Sequence, residues 1–286
     1  MGDSLTVLDV VQKSADFLEK KGVESPRLNA EWLIAHAMGV DRMALYLQFD
    51  RPLTGEELDV MRGSVARRGK REPLQYILGQ AQFHELTLKC DSRALIPRPE
   101  TEQLVERILN DGLEIDEEYR ILDLGTGTGA IALALAMKLP TSRIVAIDAS
   151  DDALELAREN ALLCGLQTRV DFRRSDWFDE IEKEASFDII VSNPPYLTRE
   201  ELESSESEVQ DFEPSEALVA EDEGMADLRD IIRGAYSRLV EGGVLWLETG
   251  IEQRDKLLAT CQKSGYSESE GFDDWSERPR FIRAKK

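Results

Sequence analysis

At residues 121–130 the chain passes from an apolar run through a glycine-rich loop into a helix-forming stretch, and it reads Ile121-Leu122-Asp123-Leu124-Gly125-Thr126-Gly127-Thr128-Gly129-Ala130. The apolar residues fit a buried strand. Glycines directly after a strand let the backbone come close to a ligand at the amino end of the next helix. This strand–loop–helix unit predicts an α/β domain with a cofactor site at the carboxyl end of its first strand.

The sequence that follows keeps alternating between strand and helix patterns. Helical spacing is found at 130–139, 152–164, 225–240 and 251–264. Buried parallel strands are predicted at Ile121–Leu124, Ile144–Ile147, Val170–Phe172, Phe187–Val191 and Val244–Leu247. Repeated units of this kind predict a doubly wound, Rossmann-like sheet.

The chain divides into three predicted parts. Residues 1–72 show helical spacing and predict a small helical bundle. Residues 73–96 predict an extended, hairpin-like connector around Gly79-Gln80, and residues 97–286 form the α/β domain. The bundle ends in a short basic run, which is usually a solvated face but can also bind a partner: Arg62, Arg67, Arg68, Lys70 and Arg71.

The charge of the chain is strongly negative and unevenly distributed. The 286 residues carry 35 Lys and Arg against 57 Asp and Glu, a formal charge of −22. Almost the whole excess lies in residues 91–286, with 23 basic and 44 acidic side chains. Such a surface repels phosphate backbones, so nucleic acid is disfavoured as the main substrate. Adaptation to a salty cytoplasm would also account for the acidity.

Signals for a membrane or an oxidising compartment are missing from the sequence. No run approaches the roughly 20 apolar residues that span a bilayer, and Asp3 stands where a secretory leader would carry Lys or Arg. The three cysteines, Cys90, Cys164 and Cys261, are too far apart for a disulfide framework or a zinc site. We therefore expect a cytoplasmic protein, a monomer, without a metal site or a membrane contact.

The glycine loop fits two kinds of cofactor. Gly125, Gly127 and Ala130 satisfy the dinucleotide pattern, whereas Asp123 and the three glycines after it equally satisfy the pattern of S-adenosylmethionine sites. Asp148 suits both, because a carboxylate at the tip of the second strand accepts hydrogen bonds from ribose hydroxyls. The loop predicts a cofactor without saying which.

A second motif, Asn193-Pro194-Pro195-Tyr196, follows the strand predicted at Phe187–Val191. A planar amide or aromatic amine is a poor nucleophile, so a site that methylates it must hold its N–H groups and aim its nitrogen. Asn193 can offer its side-chain oxygen and Pro194 its carbonyl oxygen, while Tyr196 supplies a flat face. The prolines stiffen the turn, and catalysis then depends mostly on orientation and electrostatics.

These residues resemble the amino-methyltransferases that carry an Asn/Asp-Pro-Pro-Tyr/Phe motif. The wider chain is similar to one branch of them, the family of release-factor glutamine methyltransferases. The match is weakest in residues 1–70 and comprises, in order, Pro73–Gly79, Leu95–Glu102, Leu122–Leu133, Ser175–Phe178, Glu213-Pro214, Ala217-Leu218, Leu247–Gly250 and Gln253. One departure, Phe83-His84-Glu85, concerns the hairpin turn, because the family usually has an aromatic residue and then glycine after that phenylalanine.

The resemblance implies a class I S-adenosylmethionine-dependent methyltransferase, whose sheet is mostly parallel with an antiparallel last strand. It also implies that the helical bundle at the start of the chain is a substrate-recognition domain. It implies methyl transfer to the side-chain nitrogen (N5) of the glutamine in the Gly-Gly-Gln loop of peptide chain release factors. By match, the cofactor would contact Gly125, Thr126, Gly127, Thr128, Gly129, Asp148, Trp177 and Asn193. The glutamine would be bound by Asn193, Pro194, Pro195 and Tyr196, of which Asn193, Pro194 and Tyr196 would be catalytic. Arg98 and Glu100 belong to the matching segment without an assigned role.

Three other functions stay open. N6-adenine methylation of DNA or RNA uses the same tetrapeptide but needs a basic face. An NAD-dependent oxidoreductase would depend on the glycine loop alone, and a non-catalytic adaptor would make the tetrapeptide dispensable. The segment 199–223 has eleven acidic residues against one Arg. It suggests in addition a negatively charged entrance to the substrate site, which would repel nucleic acid and admit a protein loop.

Overall fold

The computed structural model describes residues 5–286, so the prediction about a leader, which depends on residues 1–4, lies outside the described part. Contacts divide the chain into two compact units. The first runs up to Gly79 and also takes in Glu206–Phe212; the second consists of Gln80–Ser205 and Glu213–Lys286. The contact limits therefore differ from the predicted ones at 72 and 96, and the first unit contains a segment that is distant in sequence.

The first unit is helical. It contains, in chain order, α1 (Val7–Lys20), α2 (Pro26–Met38), a 3₁₀ helix (Arg42–Leu47), α3 (Gly55–Arg68), α4 (Leu74–Leu78) and, much later, α9 (Ser207–Phe212). Thr6 and Thr54 begin α1 and α3 with capping boxes, in which the threonine oxygen accepts a backbone N–H three residues on. Apolar faces of α1 and α2 meet in a core around Val11, Leu18 and Leu33, all fully buried.

The basic run at the end of α3 is partly neutralised by two carboxylates, one in α9 and one just before it. Buried Arg68 donates to Glu208 Oε1 at 2.7 Å, and Arg71 donates to Glu208 at 2.5 Å and to Glu206 at 2.6 Å. Burial alone would raise the pKa of Glu208, but the hydrogen bonds from Arg71 and Arg68 lower it below its usual value. Arg68 Nε also donates to Asn29 at 2.7 Å. These arginines and glutamates therefore hold the helical unit together, and Glu206 and Glu208 are not free members of a negative entrance.

The predicted connector differs from the structure in its first half. Residues 74–78, predicted as extended, form the short helix α4, which ends at Gly79 with a φ of 72°. The hairpin consists of β1 (Gln80–Phe83) and β2 (Leu86–Lys89), paired antiparallel. Its turn is at His84-Glu85 and not at Gly79-Gln80, because His84 adopts the positive φ (50°) that a tight turn requires.

The second unit is an α/β domain. Its sheet strands are β3 (Arg120–Leu124), β4 (Arg143–Asp148), β5 (Val170–Arg174), β6 (Phe187–Ser192), β7 (Leu239–Glu248), β8 (Glu268–Asp273) and β9 (Pro279–Lys285). Its helices are α5 (Pro99–Leu109), α6 (Ala130–Lys138), α7 (Asp151–Leu163), α8 (Arg199–Ser204), a 3₁₀ turn (Ser215–Ala217), α10 (Glu221–Gly224), α11 (Ala226–Arg238) and α12 (Arg254–Ser264).

The strand order confirms the predicted Rossmann-like methyltransferase fold. The sheet has seven strands in the order β5-β4-β3-β6-β7-β9-β8. β3, β4, β5, β6 and β7 pair parallel, and β9 alone runs against them, inserted between β7 and β8. Apolar layers cover both faces, around Leu133 on one side and Ile231 on the other. β3 is thus an interior strand, the third of the seven, and the strand order reverses beside it. The carboxyl ends of the strands at such a reversal are where these sheets bind ligands.

No helix within residues 5–286 is long and apolar enough to cross a membrane.

Candidate active site

A cavity of about 600 Å³ opens at the carboxyl ends of β3, β4 and β6. It lies where the strand order reverses, with β4 on one side of β3 and β6 on the other. Most of the predicted site residues line it, namely Gly125, Thr126, Gly127, Thr128, Asp148, Trp177, Asn193 and Pro195. Gly129, Pro194 and Tyr196 do not line the cavity, although each directly follows a residue that does. The fold therefore brings two distant motifs to one edge of the sheet.

The glycine loop turns sharply between β3 and α6. Gly125, Gly127 and Gly129 have φ values of 71°, 54° and 83°, a region that costs a residue with a Cβ about 1–2 kcal/mol. A Cβ at Gly125 would lie 3.5 Å from the Trp177 ring, and one at Gly129 would lie 3.3 Å from the Cβ of Ala157. The loop consequently presents backbone to the cavity, and the missing side chain at Gly129 allows α6 to approach α7.

Asp148, the last residue of β4, fastens this loop. Its Oδ2 accepts the Gly127 N–H at 2.9 Å, and its Oδ1 accepts the Ser150 N–H at 3.0 Å. Burial raises the pKa of Asp148, although these backbone donors act in the opposite direction. On the other side of the loop, the Thr126 hydroxyl donates to Asp123 Oδ2 at 2.6 Å. The two aspartates hold the loop from the ends of neighbouring strands.

Trp177 forms a wall of the cavity in an unusual backbone conformation. Its φ of 44° is rare for a bulky residue, and the surrounding hydrogen bonds maintain it. The Ser175 hydroxyl donates to the Trp177 carbonyl at 2.8 Å, and the Trp177 indole N–H donates to Asp227 at 3.1 Å. The ring is thereby held beside the glycine loop, next to Gly125.

The Asn-Pro-Pro-Tyr motif follows β6 and is tied to a buried carboxylate. Asn193 Nδ2 donates to Thr101 Oγ1 at 3.1 Å, and the Thr101 hydroxyl donates to Glu248 Oε2 at 2.8 Å. The Tyr196 hydroxyl donates to the other oxygen, Glu248 Oε1, at 3.2 Å. Arg280 Nη1 donates in turn to the Tyr196 oxygen at 3.3 Å. Burial, with Glu248 alongside, raises the pKa of Tyr196, so the phenol stays protonated.

The backbone after the motif is clamped by a glutamine and a glycine. Gln253 Nε2 donates to the carbonyl oxygens of Tyr196, at 2.9 Å, and of Gly224, at 3.1 Å. Gln253 Oε1 accepts the Gly250 N–H at 2.8 Å. Gly224 has a φ of 74°, and a Cβ there would lie only 2.2 Å from the Tyr196 carbonyl oxygen. Only glycine therefore permits this close approach.

Arg98 and Glu100, which the sequence left without a role, make different contacts. Arg98 lines the cavity and forms an ion pair with Glu213, whose side chain is buried and also accepts the Ile96 N–H at 3.1 Å. Glu100 pairs with Arg278 at 3.2 Å and does not line the cavity. Arg98 thus belongs to the cavity wall. Within residues 5–286 no group of three or more His, Cys, Asp or Glu is placed to hold a metal ion.

Sequence reasoning missed several residues that support the site. Thr101, Glu248 and Gln253 lie in the stretches that resemble the family, but no local pattern gives them a role. Arg280 lies outside those stretches. Their signal is purely spatial, because Thr101 and Glu248 are 147 residues apart and Tyr196 and Glu248 are 52 apart.

Two buried carboxyls make the stability of the protein depend on pH. Burial raises the pKa of Asp123 to about 7 and that of Glu248 to about 7. Both groups bind protons in the folded chain at a pH where the unfolded chain has released them, so the free energy of unfolding increases as the pH falls. Between pH 8 and pH 5.5 we expect about 2 kcal/mol from each carboxyl.

Urea unfolding at the two pH values measures this difference. Glu248→Gln removes one of these groups and should reduce the difference by about 2 kcal/mol. A wild-type protein that loses stability between pH 8 and pH 5.5 would contradict the assignment.

Two family models match the chain. The model described as the PrmC N-terminal domain matches residues 9–79, and the model described as the methyltransferase small domain matches residues 101–212. The first match falls on the helical unit. The second contains the glycine loop and the Asn-Pro-Pro-Tyr motif.

Solved structures share the fold. A methyltransferase from Pyrococcus furiosus has a TM-score of 0.53 with 18% sequence identity, and the match covers 71% of this chain and 90% of that one. The 16S rRNA N2 G1207 methyltransferase RsmC of T. Thermophilus has a TM-score of 0.53 with 20% identity, covering 72% of this chain and 49% of that one. At these identities the likeness concerns the fold alone.

Curated relatives match over almost the whole chain. The release factor glutamine methyltransferase of Geobacter sulfurreducens is 40% identical over 261 residues, which are 91% of this chain and 90% of the relative. The protein of the same name from Haemophilus influenzae is 41% identical over 284 residues, 95% of each chain. Identity of this level along both units, with the two motifs at one cavity, places the chain in the family of release factor glutamine methyltransferases.

Proposed function

We propose that the protein methylates the side-chain amide nitrogen (N5) of the glutamine in the Gly-Gly-Gln loop of peptide chain release factors. The observation that carries the proposal is the direction of the Asn193 side chain. Its Nδ2 is committed to Thr101, which leaves its oxygen as an acceptor at the cavity. Family membership makes the chain an S-adenosylmethionine-dependent protein methyltransferase, and the names of the relatives supply release factors as the substrate class.

The residues at the β3 and β4 ends fit S-adenosylmethionine. When bound, this cofactor supplies a methyl group on a positively charged sulfur. The bare backbone at Gly125 and Gly127 leaves space that side chains would otherwise occupy. Asp148 offers a carboxylate to the ribose hydroxyls, and the Trp177 ring offers a flat apolar wall to the adenine. We assign Thr126, Thr128, Gly129 and Asn193 to the same binding site, Gly129 through its role in the turn.

The residues after β6 fit a primary amide. Asn193 Oδ1 and the carbonyl oxygen of Pro194 are acceptors for the two N–H groups of the glutamine side chain. We assign the border of this position to Pro195, which lines the cavity, and to Tyr196, which directly follows it. Neither proline offers a competing N–H. A glutamine amide held by both hydrogens has its nitrogen aimed in one direction. We therefore assign catalysis to orientation by Asn193, Pro194 and Tyr196 and to the charge they stabilise as the nitrogen reacts.

We expect Asp148→Ala to weaken the binding of S-adenosylmethionine about 10- to 100-fold, because a charged acceptor is lost and the Gly127 N–H loses its partner. Titration calorimetry measures the dissociation constant. Asp151→Ala, which removes a carboxylate that does not line the cavity, should leave it unchanged. Equal affinities of the two variants would contradict the assignment of Asp148.

The methyl acceptor is tested with purified protein, labelled S-adenosylmethionine and an intact release factor. We expect label on the release factor and its loss when the glutamine of the Gly-Gly-Gln loop is replaced by alanine. A DNA oligonucleotide serves as the parallel acceptor and should stay unlabelled. Labelling that persists in the Gln→Ala release factor would overturn the proposed acceptor.

A further inference from the structure

The polar residues behind Asn193 form a hydrogen-bonded chain from Arg280 through Tyr196, Glu248 and Thr101 to Asn193. The successive distances are 3.3, 3.2, 2.8 and 3.1 Å. Four parts of the fold supply it, because Arg280 lies in β9, Thr101 lies in the first turn of α5, Glu248 ends β7, and Asn193 and Tyr196 follow β6. β6 and β7 are paired up to Ser192 and Leu247, so the next residues, Asn193 and Glu248, lie side by side at this edge of the sheet.

Above about pH 7, where Glu248 is ionised, each bond in this chain can point in one direction only. The Arg280 guanidinium has donors and no acceptor, so the Tyr196 oxygen accepts from it and the single phenolic proton goes to Glu248. The ionised Glu248 carboxylate has acceptors and no donor, so the single hydroxyl proton of Thr101 also goes to it. The Thr101 oxygen is then left as an acceptor for Asn193.

This direction decides how the Asn193 amide is oriented. The side-chain amide of an asparagine can flip about its last C–C bond, which exchanges the positions of its oxygen and its NH₂ group, because the two groups are almost the same size. With the Thr101 oxygen as an acceptor, the NH₂ group faces Thr101 and the oxygen faces away from it. We propose that Thr101 and Glu248 are positioning residues that set the orientation of the Asn193 amide and thereby make the site select a glutamine over a glutamate side chain.

The selectivity follows from the number of donors and acceptors. With Asn193 Oδ1 and the Pro194 carbonyl, the site presents two acceptors, which match the two N–H groups of a glutamine. A glutamate carboxylate has no N–H to give and would leave both acceptors unpaired, which a buried site penalises strongly. A reversed Asn193 would present a donor and an acceptor, and part of the discrimination would disappear. The inference rests on the proposed function, since it concerns how the glutamine is recognised.

The test compares Thr101→Val with Thr101→Ser at pH 8, where Glu248 is ionised. Valine keeps the shape of threonine but removes the hydroxyl, whereas serine keeps the hydroxyl. The substrate is a release factor, and the competitor is the same release factor with the loop glutamine replaced by glutamate. For Thr101→Val we expect kcat to fall about 10- to 100-fold. We also expect the preference for the glutamine form, measured by how weakly the glutamate form inhibits its methylation, to fall about 10-fold. Thr101→Ser should retain both within about threefold of wild type, and the dissociation constant of S-adenosylmethionine should stay unchanged in both variants as a check on folding.

The outcomes separate the two proposals. If the wild-type protein does not methylate the release factor, the proposed function fails. If the wild type is active and Thr101→Val keeps its kcat and its discrimination, the positioning role is overturned. It is also overturned if Thr101→Ser loses as much as Thr101→Val, because the effect then comes from packing and not from the hydroxyl.

Discussion

Asn193→Ala should lower the turnover of release-factor methylation about 10²- to 10³-fold, while the affinity for S-adenosylmethionine, which Asn193 also contacts, falls by about tenfold at most. The substitution removes the oxygen that accepts an N–H of the substrate amide, and with it the orientation of the reacting nitrogen. It leaves the glycine loop and the Asp148 contacts in place. Catalysis by orientation has no other group to replace this acceptor, which is why the expected effect is large.

The measurement combines single-turnover methylation with calorimetric binding of the cofactor. Asn110→Ala is a matched control, because Asn110 lies outside the cavity and its side chain donates to the Glu106 carbonyl oxygen in the last turn of α5. It should keep normal turnover. Wild-type turnover in Asn193→Ala would show that the chain acts as an adaptor or by another site. A loss of cofactor affinity as large as the loss of turnover would show that Asn193 acts by binding the cofactor and not by orienting the substrate amide.

Gly224→Ala should have the largest effect on the folded state, with a loss of at least about 3 kcal/mol in the free energy of unfolding and loss of activity. Its new Cβ would lie 2.2 Å from the Tyr196 carbonyl oxygen, a backbone atom that cannot swing away as a side chain can. The positive φ of 74° adds a second penalty. Relief requires the strand-end turn or the Gln253 clamp to move, and both hold the Asn-Pro-Pro-Tyr motif.

Gly165→Ala separates the two penalties. Gly165 has a φ of 70°, close to that of Gly224, but a Cβ there would meet nothing within 4 Å. It should therefore cost only about 1–2 kcal/mol, the price of the left-handed conformation. Urea unfolding of both variants gives the comparison. Equal losses would mean that the contact with Tyr196 contributes nothing.

The charge pattern shows where sequence reasoning was incomplete. Taken from the sequence alone, the basic run after residue 61 predicts a solvated or partner-binding face, and the acidic segment 199–223 predicts a negative entrance. In the helical unit Arg68 and Arg71 are instead the partners of Glu206 and Glu208. The groups are about 140 residues apart in sequence, and net charge does not reveal which opposite charges meet.

The connector shows a different limit. Residues 74–78 have apolar residues at positions that fit alternation, and they were predicted as extended, yet they form a single helical turn. Over five residues the two periods cannot be distinguished. The neighbouring segment forms an antiparallel hairpin, as predicted. Its turn is at His84, a residue that accepts positive φ less readily than glycine.

By itself the sequence determined the architecture and the two motifs of the site. The glycine loop after an apolar run, the repeated strand–helix alternation and the Asn-Pro-Pro-Tyr motif are local patterns, and parallel strands bring their carboxyl ends to one edge whatever the details. Only the tertiary structure decided which side chains support those motifs. Thr101, Glu248 and Arg280 meet behind Asn193 because α5, β7 and β9 pack there. A buried carboxylate has no periodicity in sequence, and its partners are set by distance in space and by which groups can donate a proton.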